Sequence, residues 1–233
     1  MLVVNLGKIQ YDEALQMQEL CHAARCEGRI GDIIMLQEHD NVITFGRSAG
    51  AAELLVSEEE LELKGIPVRH VNRGGKITCH YPGQLIGYFI LDLASFGMDI
   101  HLLVRSIEET LVKVLADYGI VGERVPGKRG VWVGNCKIAA LGMEVRNTVT
   151  LHGFSLNVRE NAGIYSFFIP CGMADSGVTA MEKLLPEGCT PDLDDVGNCF
   201  IRHWKEVSEK PVYLVQRECF ETEYFPGFAR VAG

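Results

Sequence analysis

The stretch from Ile100 to Tyr118 constrains the fold more than any other. Ile100, Leu103, Val104, Ile107, Leu111, Val114, Leu115 and Tyr118 recur at helical spacing and form one continuous apolar stripe. Asp99 stands where a helix cap belongs and Gly119 where a helix stops. A stripe of that width is core. A second helix is predicted over Tyr11 to Cys26, with Ala14, Met17, Cys21 and Ala24 on one face and Gly28 as the stop. Ser57 followed by Glu60 reads as a capping box opening a short helix over Ser57 to Lys64, and Asp192 to Glu209 is a further helix.

Between these lie strand-like segments: Val3 to Leu6, Ile33 to Gln37, Val42 to Phe45, Ile66 to Val71, Leu85 to Leu93, Gly130 to Val133, Cys136 to Val145, Thr148 to Val158 and Pro211 to Gln216. A turn at Arg146-Asn147 makes a hairpin of Cys136 to Val145 and Thr148 to Val158. Val178 to Leu185 reads as a helix start. Strands and helices interleave with hairpins among them, so the chain is expected to be α+β with a mixed sheet flanked by helices. It is read as a single domain over residues 1–233, with a frayed end after Tyr224.

The net charge of −9 argues against a nucleic-acid binder, and it makes the basic run Arg124 to Gly130 stand out. Apolar runs such as Leu85 to Leu93 are far too short to span a membrane, and the first residues lack a basic segment followed by an apolar one. A cytoplasmic protein is expected. Its eight cysteines contain no CxxC pair, and in a reducing compartment most pack as small apolar groups. His22, His39, His70, His101 and His203 show no consistent ligand spacing, so no metal is expected. Neither GxGxxG after the first strand nor GxxxxGK[ST] is present, which argues against the usual nucleotide-binding loops.

Chemistry concentrates in three places. Phe168-Ile169-Pro170-Cys171-Gly172 sets a cysteine between a residue with a fixed φ and one with free backbone angles, a turn that can aim a thiol. Lys137 is the one charge in the small, apolar run Gly134 to Ala140. An ammonium about 4 Å from a thiol favours the thiolate by roughly 4 kcal/mol at an effective dielectric near 20. Cys171 as nucleophile and Lys137 as its activator therefore suit acyl transfer through a thioester. The bland alternatives are a buried structural thiol and a lysine whose stem lies on apolar surface. The third place is Asn72 to Gln84, where two glycines are flanked by Arg73, Lys76, Thr78, His80 and Gln84. A plain hairpin turn at Gly74-Gly75 explains the glycines but not that polar set. His80 and His152 are possible acid–base groups, with a structural role favoured for both.

Five segments in order, EHDNVITFGR, RGGKITCHYPGQL, GVWVGNCKIAALG, LHGFSLNV and FIPCGMADSGVTAMEKL, resemble those of the lipoyl(octanoyl) transferase family, from about Glu38 to Leu185. The resemblance implies the biotin/lipoate protein ligase-like fold. It implies that Cys171 carries the acyl thioester and that Lys137 lowers its pKa. It implies a substrate-binding set of Arg73, Gly74, Gly75, Lys76, Ile77, Thr78, Cys79 and His80, with Ala140, Leu141, Gly142, Gly153, Phe154 and Ser155. The implied donor is octanoyl-acyl carrier protein. The implied acceptors are lipoyl domains of 2-oxoacid dehydrogenases and the glycine cleavage H protein, with no cofactor and a monomeric enzyme. Tyr81 and Ala140 depart from the family's usual glycine and serine, and Tyr81 is expected to narrow or cover the acyl tunnel. The alternatives within the same fold are an ATP-dependent lipoate-protein ligase and a lipoyl-domain-to-lipoyl-domain amidotransferase. Outside enzymes, the alternative is a binding module with a buried structural Cys171.

Overall fold

A computed structural model describes residues 1–169 and 177–224. The segment holding Cys171 and the residues after Tyr224 lie outside the described residues. In chain order the elements are β1 (Leu2–Lys8), α1 (Tyr11–Cys26), β2 (Ile33–Glu38), β3 (Val42–Phe45), α2 (Glu58–Leu63), β4 (Val68–His70), β5 (Ile77–His80) and β6 (Gln84–Ile90). They continue with α3 (Leu93–Phe96), α4 (Ile100–Asp117), β7 (Glu123–Val125), β8 (Lys128–Val133), β9 (Cys136–Arg146), β10 (Val149–Asn157) and α5 (Ala162–Tyr165). After the undescribed segment come β11 (Gly177–Val178), α6 (Met181–Leu184), α7 (Leu193–Ser208), β12 (Tyr213–Val215) and α8 (Arg217–Tyr224).

Among the described residues the large sheet has nine strands in the order β12-β1-β2-β6-β10-β9-β8-β7, with β11 paired to β9 beside that path. β12, β1 and β2 are parallel neighbours, whereas β2–β6, β6–β10, β10–β9, β9–β8 and β8–β7 are antiparallel. The sheet is therefore mixed, as the hairpins in the sequence require. β4, β3 and β5 form a separate small sheet.

Both faces of the large sheet are covered, which is why β2, β6 and β10 read as apolar runs rather than clean alternation. Leu103, Ile107, Leu111, Val114 and Leu115 of α4 close one face together with Phe200 and Trp204 of α7. The Phe154 and Phe200 rings meet at 4.8 Å between centroids and Phe89 and Trp204 at 5.3 Å. α1 covers the other face with Ala14, Met17 and Cys21 against Val4, Ile86 and Ile90, and Phe220 of α8 completes it. Full burial of each such side chain contributes on the order of 1.5–3 kcal/mol. The caps read from the sequence are present: Asp99 accepts from the Leu102 N–H at 2.7 Å and Ser57 from the Glu60 N–H at 3.2 Å.

Among the details that differ from the sequence reading are short elements it did not anticipate, such as α3 and β7, and three others. The hairpin between β9 and β10 turns at Asn147-Thr148, one residue later than expected, because Arg146 pairs with Val149. Both turn residues have positive φ, 49° and 66°, the handedness a two-residue hairpin needs. Val178 does not begin a helix. Gly177-Val178 pairs in parallel with Cys136-Lys137 of β9, and the helix starts at Met181. The helix α8 follows β12 where no element was anticipated.

Candidate active site

A cavity of about 380 Å³ opens between the large sheet and β5 of the small one, with Tyr11 at the start of α1 on its wall. Its position follows from the glycines beneath it. A Cβ at Gly153 would stand 2.1 Å from the Gly87 carbonyl oxygen, and one at Gly142 would stand 2.8 Å from the Gly74 oxygen. Gly142 and Gly153 are register partners on β9 and β10. Only glycine lets neighbouring backbone pack this close at both positions, and both residues line the cavity.

The loop 73–76 is clasped from two sides. Arg47 N–H donates to the Arg73 carbonyl, Ser48 N–H to the Gly75 carbonyl, and Gly74 N–H to the Met143 carbonyl at 2.8 Å. Gly75 has φ +92°, a conformation that favours glycine. Arg73 is 7% exposed and its guanidinium donates to both the Thr44 carbonyl, at 2.7 Å, and the Thr44 hydroxyl, at 2.8 Å. Lys76 is ion-paired with Glu53.

Neutral imidazoles stand at the inner end. Gln84 donates its amide to Asn157 Oδ1 at 2.8 Å, so its carbonyl oxygen accepts from His80 Nδ1 at 3.1 Å. That bond puts the His80 proton on Nδ1 and leaves Nε2 an acceptor. Full burial holds the His80 pKa well below the ordinary histidine value, and His39 beside it lowers it further. His39 donates from Nδ1 to the Ile9 carbonyl at 2.8 Å and accepts the Tyr88 hydroxyl at 3.0 Å, with burial holding its pKa to about 4. His152, held at φ +61° with its N–H on Gln18 Oε1 at 2.9 Å, is lowered to about 3 by burial and then by Arg73.

Lys137 lies near the start of β9, its ammonium 4.9 Å from the centroid of the Trp132 ring. Val178 of β11 pairs with it, and the Thr179 N–H donates to its carbonyl at 3.0 Å. The Asn157 amide donates to the Thr179 carbonyl at 2.9 Å, which joins β11 to the Gln84–His80 chain. Lys137 lines the main cavity. It also lines a smaller void of about 20 Å³ whose other walls include Thr78, Asn157, Phe168 and Val178.

Of the residues singled out in the sequence, Arg73, Gly75, Lys76, Ile77, Thr78, His80, Lys137, Ala140, Leu141, Gly142, Gly153, Phe154 and Ser155 all line the main cavity. Gly74 instead ties the loop to β9, and Cys79 turns away into the core of the small sheet with Tyr81 and Phe168. Tyr81 is buried there, its hydroxyl on the Arg159 carbonyl at 3.3 Å, and it is not part of the cavity wall. It neither narrows nor covers that space. Cys171 lies outside the described residues. Lys128 and Arg129, read as a separate basic loop, stand on the cavity wall with Gly127. The sequence reading missed Tyr11 and Tyr88. Tyr88 was legible as the polar-tipped member of an apolar strand that directly follows the Arg73–His80 run. A larger groove of about 770 Å³ between β1, β2 and α7 contains none of these residues.

Fold and cavity together define an α+β catalytic domain: a mixed sheet whose bare centre forms the floor of a cleft with cations at its rim. The comparisons with known proteins give that class a family. Residues 10–205 match the lipoyl protein ligase A/B catalytic domain, and the chain belongs to that family. It is 40% identical over 227 residues to an octanoyltransferase of Solibacter usitatus, covering 97% of this chain and 96% of the relative. It is 42% identical over 218 residues to an octanoyltransferase of Caldicellulosiruptor bescii, covering 93% and 95%. Among solved structures, a putative lipoate protein ligase from T. acidophilum with bound lipoic acid superposes with a TM-score of 0.69 at 18% identity, over 95% of both chains. A lipoate-protein ligase A bound with ATP gives 0.68 at 18% identity, over 95% of this chain and 94% of the other. These two carry the fold, which agrees with the fold expected from the sequence.

Proposed function

We propose that this chain, as one catalytic domain, transfers an octanoyl group to a lysine of a lipoyl domain through a thioester on Cys171. It is an acyltransferase of protein lipoylation, which the octanoyltransferase relatives support across nearly its whole length. The observation that carries the choice of residues is the position of Lys137. It walls the main cavity and also the small void that Phe168 and Val178 enclose, and those two bracket Cys171 in the chain. Three residues of chain, the separation of Cys171 from Phe168, span at most about 11 Å. That favours the Cys171–Lys137 pairing.

The Cys171 thiolate attacks the thioester carbonyl of octanoyl-acyl carrier protein, the carrier's C–S bond breaks, and its sulfur leaves and takes a proton. The amine of the acceptor lysine then attacks the enzyme thioester, loses a proton, and releases the Cys171 thiolate as the amide forms. Lys137 stabilises the thiolate. Arg73, Lys76, Thr78 and Ser155 offer hydrogen bonds at the cavity wall for the acyl head, and the bare floor at Gly142 and Gly153 receives the chain. Lys128 and Arg129 meet the acidic donor and acceptor proteins at the rim.

The test is octanoyl transfer to an apo-lipoyl domain from octanoyl-carrier protein without nucleotide, followed by intact-mass analysis. Wild type is expected to show an octanoyl adduct on Cys171. Cys171→Ser is expected to show no transfer, and Lys137→Arg a fall of at least about a hundredfold. Transfer that requires ATP and releases an adenylate would instead assign a ligase.

A further inference from the structure

Away from the cavity, the end of α4 and the middle of α7 bring three metal-binding side chains together. Asp117 is the last residue of α4, and Cys199 and His203 stand on α7 at i and i+4, one turn apart on the same face. Their donor atoms all lie within 4.8 Å of one another, the one such group among the described residues. Asp117 Oδ2 accepts from His203 Nε2 at 2.8 Å, from Cys199 Sγ at 3.2 Å and from the Arg202 guanidinium. A single carboxylate oxygen thus gathers three donors. The far side of the imidazole supplies a separate observation. His203 Nδ1 is buried without a hydrogen-bond partner, and the Glu206 carboxylate stands 3.5 Å from it. A carboxylate behind the second nitrogen is how proteins orient a histidine that binds metal through the first.

We propose that Asp117, Cys199 and His203 form a binding site for a zinc-class divalent metal, with Glu206 as the positioning residue behind His203. A thiolate, an imidazole and a carboxylate select zinc or cobalt over magnesium or calcium. Three protein ligands leave a fourth position for water. On binding, the Cys199 S–H proton goes to solvent as the sulfur–metal bond forms. Neutral His203 moves its proton from Nε2 to Nδ1, where Glu206 accepts it, and gives the Nε2 lone pair to the metal. Thiolate and Asp117 together neutralise the ion. Arg202 competes for Asp117 and lies 3.4 Å from the Cys199 sulfur, but its side chain is 61% exposed and can turn out to water. None of the three residues lines the cavity, so the metal would fasten α4 to α7 rather than enter the transfer. Histidine spacing alone hides this site: one ligand of the i, i+4 pair is a cysteine, and the third comes from another helix.

The experiment is a Co²⁺ titration of the full chain after chelator treatment, read by absorbance. A sulfur-to-cobalt charge-transfer band saturating at one equivalent, and displaced by Zn²⁺, is expected. It should vanish in Cys199→Ser and in His203→Gln, persist in Cys136→Ser and Cys171→Ser, and require roughly tenfold more metal in Glu206→Gln. Circular dichroism checks that each variant is folded, and the substitution at half-buried His203 reads the site if the buried Cys199 one does not fold. No band in wild type, or a band that survives in folded His203→Gln, overturns the proposal.

Discussion

At the scale of single residues, the cavity floor depends on atoms that are missing. Gly153 lies against the Gly87 carbonyl, with the hypothetical Cβ also 2.8 Å from the Phe89 ring. Both neighbours are held in the centre of the large sheet, on β6, and cannot swing aside. Gly153→Ala is therefore expected to lower stability by about 3 kcal/mol, as overpacking of a rigid core does. Gly31, exposed and with nothing within 4 Å of its added Cβ, is the matched control, and Gly31→Ala is expected to leave stability within about 0.5 kcal/mol of wild type. Urea unfolding of both variants measures the difference. Equal midpoints would mean that β6 and β10 separate more easily than their register implies. The same scale explains why a motif read as a unit does not act as one. Along β5, Thr78 and His80 reach the cavity while Ile77 and Cys79 enter the small-sheet core, because successive strand residues point to opposite faces, and Ile77 also borders the cavity. Tyr81, one residue on, shares that core and so stays off the cavity wall.

At the scale of elements, the long helices α1, α4 and α7 were legible because local chemistry alone defines them. The α4 stripe and its Asp99 cap need no distant partner, and the element ends within a residue of its expected bounds. Asp99→Ala is expected to cost about 1 kcal/mol in urea unfolding, and Asp99→Ser close to nothing, since serine caps equally well. If both cost the same, the cap oxygen is not what matters there. β11 shows the opposite case. Two residues carry no period of their own, and Gly177-Val178 is a strand only because Cys136-Lys137 of β9 offers an edge. Its pairing is tertiary, so no reading of residues 177–185 alone finds it. The cavity was legible in its residue types because a polar set, Arg73, Lys76, Thr78 and His80, flanks the Gly74-Gly75 turn. Tyr11 was not, since a tyrosine in a helix looks like core until its neighbours are known.

At the scale of the whole molecule, the buried histidines tie stability to pH. His39, His80 and His152 are all 7% exposed or less, and burial is the first cause of the lowered pKa in each. In the unfolded chain the same imidazoles titrate near 6.5. Between that value and the folded values, about 4 for His39 and about 3 for His152, the unfolded chain binds protons that the folded protein refuses. Stability is therefore full above the unfolded value and falls as pH falls through this window. Each group contributes up to about 1.4 kcal/mol per pH unit there, so the three together reach about 4 kcal/mol per unit. The expected result is a sharp drop in the urea midpoint between pH 6.5 and pH 5. A double variant, His39→Gln with His152→Asn, should lose about two thirds of that slope. Glutamine can still meet the Ile9 carbonyl and the Tyr88 hydroxyl, and asparagine tolerates the positive φ at position 152. If the double variant keeps the wild-type slope, the acid sensitivity comes from carboxylates at the surface, and the histidines are charged inside the fold despite their burial.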